Sequence, residues 1–339
     1  MDEEVSQRQR RLIFALLLSS ACGGAPPKAL LDWHQAVMPT AAPANLLPRL
    51  SVNGTTLRTD AGPIRLRGVN VCSLEFDATG ANWELDSTGS AVLAVLADPA
   101  RWHANVVRMP LNQQWLLEDE GYRAKVEQLI DDANARGLYV VLDDQWEVGK
   151  MLDPYDKNIL EVPTFGEGNS TEAFWLLVTS RWANRTNLLF DLINEPHGKG
   201  DDETAEAMQV LVDAMRSRDP QTPIVIGGMN WAHSAAFYAS KPLSGANLVY
   251  AAHQYLPYDG TDSFGDHFVK PAAKIPVLVG EFLADGKDSS YALAVADAAE
   301  SAGAVGWMPW AIGCGFTKDS DQTDEPFISL AQKMRQLSP

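Results

Sequence analysis

Residues 121–143 read GYRAKVEQLIDDANARGLYVVLD. Val126, Leu129, Ile130 and Ala133 fall at i, i+3, i+4 and i+7, one stripe of a 3.6-residue repeat, so a helix is predicted over Gly121–Arg136. Gly137 ends it by supplying the backbone freedom a helix C-terminus needs. The next residues, Leu138–Asp143, are almost continuously apolar, the mark of a strand covered on both faces. A helix passing through one glycine into a doubly buried strand is half of a parallel α/β repeat.

The same pairing recurs in both directions. Strand candidates are Ile64–Asn70, Asn105–Met109, Leu138–Asp143, Leu188–Ile193, Ile224–Gly227, Leu248–Ala252, Val277–Gly280 and Ala304–Trp310. The segment Ser170–Ala183 puts Phe174, Leu177, Val178 and Trp182 on one helical stripe, and Gly303 precedes the last strand as Gly137 precedes the third. Eight such cycles within residues 50–339, with no break in composition, predict one α/β domain, a (β/α)8 TIM barrel.

Charge narrows the partners. Among 339 residues, 27 Lys plus Arg stand against 44 Asp plus Glu, a net charge of −17. Such a chain repels polyphosphate, which excludes a nucleic-acid binder and favours neutral or cationic ligands. Hydrophobic residues at 46% and charged residues at 21% suit a packed core. Ten Trp are enough both for that core and for gripping flat, uncharged ligands along a cleft.

The N-terminus has its own signal. Arg8, Arg10 and Arg11 precede the apolar run Leu12–Leu18 and then small residues, the outline of a signal peptide over 1–22 and too short for a permanent membrane span. Ser19-Ser20-Ala21-Cys22-Gly23 is similar to a bacterial lipobox, with Cys22 the lipidation candidate and hence a membrane tether. Residues 23–49 are rich in Pro and Ala and are expected to tether the barrel, with Leu30, Leu31, Trp33 and Val37 spaced for a short docked helix. The expected location is secreted or anchored to the cell envelope, and the expected state a monomer.

In such barrels the active site lies at the C-terminal ends of the strands. Strand four ends in NLLFDLINEPHG, bringing Asn194 and Glu195 to that rim, and strand seven ends in IPVLVGEF, bringing Glu281. Either Glu alone reads as a solvated loop carboxylate. Together they form the pair a retaining glycosidase needs, one to protonate the leaving oxygen and one to attack the anomeric carbon. Arg108, Trp231, His253, Tyr255 and Trp310 fall at other strand ends of the same rim. Each also has a structural reading: a salt-bridged Arg, a core His, packed indoles. The six His show no metal-ligand spacing, and neither a nucleophile-elbow nor a phosphate-cradling glycine motif occurs, so neither a metal nor another cofactor is expected.

On RLRGVN (65–70), NVVRMPLN (105–112), LYVVLDDQW (138–146), FDLINEPHG (190–198), HQY (253–255), VGEF (279–282) and GWMPW (306–310), the chain resembles glycoside hydrolase family 5, which holds many cellulases and mannanases. The resemblance covers about residues 50–339. It implies Glu195 as acid/base, Glu281 as nucleophile, Asn194 on the sugar 2-hydroxyl, Arg108 in support of the nucleophile, His253 and Tyr255 lining the same subsite, and Trp310 as its stacking platform. Where the family usually carries His after strand three, this chain has Gln145, followed by Trp146. Trp83, Trp115 and Trp146 are expected to extend an open cleft.

The expected activity is a retaining endo-β-1,4-glucanase acting on polysaccharide. A β-mannanase is the alternative within the same chemistry, and a non-catalytic glycan-binding surface protein the alternative from another class. Cys72 follows strand one and Cys314 strand eight, neighbours once the barrel closes, so a rim disulfide is expected against a reading of two buried thiols. Asn53, Asn169 and Asn184 begin Asn-x-Ser/Thr triplets, which matter only in a glycosylating host.

Overall fold

A computed structural model describes residues 39–79, 89–147, 162–166, 168–283, 289–313 and 325–337. The expected signal peptide with Cys22, the first part of the expected tether, Trp83 and Cys314 lie outside the described residues. No helix among the described residues is long and apolar enough to cross a membrane.

Three short antiparallel strands come first: β1 (Ser51–Asn53), β2 (Thr56–Thr59) and β3 (Gly62–Ile64). The barrel strands follow, each succeeded by helix. They are β4 (Leu66–Asn70), α1 (Ser90–Ala97), β5 (Val106–Asn112), α2 (Gln113–Glu118), α3 (Glu120–Ala135), β6 (Tyr139–Trp146), α4 (Thr171–Arg181) and β7 (Leu188–Asp191). The second half holds α5 (Asp201–Arg216), β8 (Ile224–Gly227), α6 (Ala236–Ser240), β9 (Leu248–Tyr255), α7 (Lys270–Ala272), β10 (Val277–Leu283), α8 (Ser289–Ala302), β11 (Gly306–Trp307) and α9 (Phe327–Leu337). β4 to β11 pair in sequence order, all parallel, and β11 returns to β4 to close the expected eight-stranded barrel.

Alternation along the strands builds the interior in layers. Leu66, Val106, Val141, Leu189, Val225, Val249 and Leu278 face inward and pack with Leu50 and Leu57, which plug the lower end. Two residues further along β5, β6 and β7 the same face carries Arg108, Asp143 and Asp191, so an apolar layer gives way to a polar one toward the upper rim. The outward faces meet the helices. There α3 buries Val126, Leu129, Ile130 and Ala133, the four residues of its sequence stripe.

Several boundaries differ from expectation, each for a local reason. Ile64 belongs to β3 rather than to the first barrel strand. β10 runs on through Glu281 to Leu283 after a register shift between Val279 and Glu281, so Glu281 is inside the strand and not past it. The last strand is only Gly306–Trp307, because beyond it the chain bonds both flanks irregularly, through Asn70 N to Pro309 O and Trp310 N to Phe282 O. The expected tether is docked over its described part. Leu47 N donates to Asn134 Oδ1 at 2.9 Å, Tyr139 hydroxyl donates to Pro48 O at 2.8 Å, and the buried Arg185 donates to Thr40 Oγ1 at 2.7 Å.

Candidate active site

Arg108 organises the polar layer. It is fully buried, and its guanidinium donates to Asp191 Oδ2 at 3.0 Å, Asn70 Oδ1 at 3.0 Å, Asn194 Oδ1 at 3.0 Å and Glu281 Oε1 at 2.5 Å. Asp143 Oδ1 lies 2.9 Å from Arg108 Nη2 but off the N–H direction, so that contact is Coulombic, and among the described residues neither Asp143 oxygen has a hydrogen-bond partner. One cation therefore faces three buried carboxyls, and they do not share it equally. Burial pushes Asp143 and Asp191 up, against the pull of Arg108. Burial alone would raise Glu281 too, but the charges of His253 and Arg108 and hydrogen bonds from Tyr255 and Arg108 outweigh it and hold Glu281 below the usual carboxylate range.

Glu281 is thus kept ionised at the floor of the site. Tyr255 hydroxyl donates to its Oε2 at 2.6 Å, and burial, with Glu281 and Glu195 close by, pushes that phenol well above its ordinary range, so the donor keeps its proton. His253 Nδ1 sits 3.0 Å from Glu195 Oε1 and 3.7 Å from Glu281 Oε2. Burial opposes charge on that imidazole, while Glu281 and Glu195 raise its pKa. A carboxylate oxygen of each Glu and a ring nitrogen of His253 all lie within 4.8 Å of one another. Three such ligand atoms could embrace an ion, yet Arg108 and Tyr255 already occupy both Glu281 oxygens.

Glu195 is delivered differently. It follows β7 with φ 50°, a left-handed conformation a non-glycine residue takes at a cost, and its carbonyl accepts from His197 Nδ1 at 2.9 Å. His197 stacks on Trp231 at 4.7 Å and 11°, and Trp231 N donates to Pro196 O, so the loop after β8 braces the loop that carries Glu195. Asn230, Trp231 and Ala232 all take positive φ, between 54° and 62°. That turn leaves Trp231 45% exposed as a ring face on the cleft.

The cleft encloses about 1310 Å³ and is lined by Gln145, Asn194, Glu195, Trp231, Tyr255, Glu281 and Trp310 among the residues read from sequence. Arg108 and His253 lie beneath it, almost fully buried, and reach its contents through the two Glu and, for Arg108, through Asn194. Trp146 and Trp115 do not line it. Trp146 packs against Phe76 at 5.7 Å, and Trp115, held in the first turn of α2 by the Asn112 cap, packs on Tyr122 at 5.9 Å. Among the described residues, Gln145 Oε1 is buried without a hydrogen-bond partner, at the position where the sequence departs from the family pattern. Asp191, Asn70 and Asp143 went unread as site residues. Their signal was a polar residue interrupting each apolar strand on the inward face.

Cys72 is disulfide-bonded. The backbone on the other side of the seam is beside it: Val71 bridges Ile312, and Cys72 N donates to Ile312 O at 3.0 Å.

A closed parallel barrel with two carboxylates converging at the C-terminal rim, one on a strand-four loop and one on strand seven, defines a class of barrel glycosidases. The family model described as Cellulase (glycosyl hydrolase family 5) matches residues 57–314. The chain belongs to that family. Among similar curated proteins are endoglucanase E-5 of Thermobifida fusca, 26% identical over 72% of this chain and 50% of that protein, and endoglucanase CelA of Streptomyces lividans, 25% identical over 78% and 55%. The chain thus spans about half the length of the curated relatives it matches. Solved structures that share the fold include a β-glucanase of Saccharophagus degradans, with TM-score 0.69 at 21% identity over 88% of this chain and 97% of that one. The catalytic domain of a Thermobifida fusca endoglucanase gives TM-score 0.63 at 24% identity over 85% and 96%.

Proposed function

We propose that the chain is a retaining endo-β-1,4-glucanase working by double displacement. The observation that carries this reading is the pairing of Glu281, held ionised by Arg108 and Tyr255, with Glu195, one carboxylate oxygen of each lying within 4.8 Å of the other. That is near the roughly 5–5.5 Å of retaining enzymes and short of the 6.5–9.5 Å that leaves room for an attacking water. Glu281 forms a bond to the anomeric carbon as the glycosidic C–O bond breaks, and Glu195 gives its proton to the departing oxygen. Glu195 then takes a proton from water, the hydroxide oxygen bonds to the anomeric carbon, and Glu281 leaves as carboxylate. Asn194 is assigned to the sugar 2-hydroxyl and Trp310 to the face of the sugar being transferred, with Gln145 a neutral hydrogen-bonding group where the family usually has an imidazole. The relatives support the substrate class, being named endoglucanases, and the Saccharophagus degradans β-glucanase has also been solved with cellotetraose.

The test is reducing-sugar release from carboxymethylcellulose, mixed-linkage glucan, β-mannan and xylan, with Glu195→Gln and Glu281→Gln as controls. Glucan cleavage with retained anomeric configuration, lost in both variants, is the expected result. Cleavage of mannan alone moves the specificity to the mannanase reading, and binding without cleavage moves it to the glycan-binding one.

The reading extends to the envelope: residues 1–22 as a signal peptide, lipidated Cys22 or a free secreted monomer, and Cys314 as the partner of Cys72. Thiol counting on the denatured, unreduced chain tests the last. A thiol at Cys314 would end it.

A further inference from the structure

Beyond Trp231, the cleft wall carries a group that the chemistry at Glu195 and Glu281 does not use. Asp259 is 1% exposed, and its carboxylate gathers three contacts: His233 Nδ1 at 2.7 Å, His267 Nδ1 at 3.3 Å and the amide of Tyr255 at 2.9 Å. Its own carbonyl accepts from Tyr291 hydroxyl at 2.6 Å, which fastens it from behind. Burial alone would raise this carboxyl, but hydrogen bonds from His233, His267 and the Tyr255 amide outweigh that and hold it at about 2. Above that pH it is an acceptor only. Each imidazole must then place a hydrogen on Nδ1, which leaves Nε2 of the neutral ring as an acceptor. Both rings line the cleft, and among the described residues neither Nε2 has a hydrogen-bond partner. Tyr258, 81% exposed, stands beside His233 with ring centroids 6.4 Å apart.

The position on the barrel gives this edge its direction. Trp310 follows β11, on one side of Glu281 in the strand order, whereas Trp231 and His233 follow β8, next to the strand that carries Glu195. The β8 loop abuts the loop that carries Glu195, and both line one cleft, so a glycan whose departing oxygen lies at Glu195 continues on its leaving side past Trp231 toward His233 and His267. Two fixed acceptors beside an exposed aromatic ring are what sugar hydroxyls and a sugar face require.

We propose that His233, held in one tautomer by Asp259, and His267, held by Asp259 and Gln254 Oε1, form with Tyr258 a sugar-binding subsite on the leaving-group side of the scissile bond. The inference rests on the glucanase reading for the identity of the sugar. It assigns Asp259 as a positioning residue whose effect on the ligand passes through the two rings.

The experiment titrates cellotetraose into the Glu281→Gln protein by calorimetry, alone and combined with His233→Ala, Tyr258→Ala or Asp259→Asn. Loss of one or two hydrogen bonds to a bound sugar is expected to raise Kd about tenfold for His233→Ala. Asp259→Asn keeps its oxygen on the Tyr255 amide and His233 Nδ1 and turns its amide toward His267 Nδ1, which moves that ring's hydrogen to Nε2, so it is expected to weaken binding while the fold holds, as checked by circular dichroism. In the otherwise native enzyme, His233→Ala is expected to lower kcat/KM on cellotetraose about tenfold more than on an aryl β-cellobioside, which has no sugar on the leaving side. An unchanged Kd, or equal losses on the two substrates, overturns the subsite while leaving the glucanase reading intact. Native enzyme that cleaves neither substrate overturns the glucanase reading, and a His233-dependent Kd for cellotetraose then still supports the subsite.

Discussion

Arg108 Nη1 and Glu281 Oε1 stand 2.5 Å apart where both side chains are closed to water, 0% and 4% exposed. Removing one partner of a buried pair leaves the other uncompensated, and here Asp143 and Asp191 lose the same cation. Arg108→Met is therefore expected to cost about 3–5 kcal/mol of stability, measured by urea unfolding. Glu281 is held low partly by this charge. Its pKa rises in the variant, so any remaining activity has its acid limb at higher pH. A variant as stable as the parent would show that the cluster does not depend on its cation.

Tyr255→Phe removes one donor and leaves the packing. The hydroxyl donates to Glu281 Oε2 at 2.6 Å, and a hydrogen bond to a charged group contributes about 1.5–3 kcal/mol. Glu281 then ionises less readily, so the acid limb of kcat/KM moves up in pH while stability changes little. The fall in kcat/KM at the optimum is expected to be roughly tenfold to a hundredfold. A pH–rate profile with an unmoved acid limb would assign the hydroxyl to substrate rather than to the nucleophile.

What could be read in the chain follows from what is local. The stripe on α3, the glycine after it and the apolar β6 are properties of neighbouring residues, and they led to the barrel. Glu195 and Glu281 could be paired because closure brings every strand end to one rim. Asp191 could not be read, because a single Asp inside LLFDLI gains meaning only when register sets it beside Arg108. Asp259 and His233 are 26 residues apart on different loops, and nothing local joins them. The misplacement of Trp115 and Trp146 has the same root: distance past a strand does not say whether an indole turns to the cleft or to the helices. Likewise the proline-rich stretch before residue 50 read as a tether because its partners, Asn134, Tyr139 and Arg185, lie far along the chain.

Glu300 makes stability depend on acid. It closes the seam beside β11, accepting from Arg65 at 2.6 Å, Arg67 at 2.7 Å and Trp307 Nε1 at 2.9 Å. Burial opposes its charge, but these hydrogen bonds and the charge of Arg67 lower its pKa from 4.5 to about 2. A depressed carboxyl contributes stability that is present above the unfolded value and lost as pH falls through the folded one. Solvent reaches the Arg65 side, so the contribution is on the order of 2 kcal/mol rather than the full shift. Glu300→Gln is expected to be less stable than the parent at pH 7 and equal to it near pH 2. A gap that persists at low pH would mean the loss is one of packing.

Glu75 works in the opposite direction. It is buried on the segment after β4, where Ser73 N donates to its Oε2 at 2.7 Å, close enough to Glu281 to feel its charge. Burial, set against that hydrogen bond and the pull of Arg108, raises its pKa from 4.5 to about 8. A raised carboxyl favours folding fully below the unfolded value and costs stability as pH climbs from about 4.5 toward about 8. Gln keeps an oxygen for Ser73 N and carries no charge at any pH. Glu75→Gln is therefore expected to match the parent at pH 4 and to exceed it at pH 7 by on the order of 3 kcal/mol in urea unfolding. A variant less stable than the parent at pH 7 would mean that Glu75 is ionised in the folded protein and paired with Arg108.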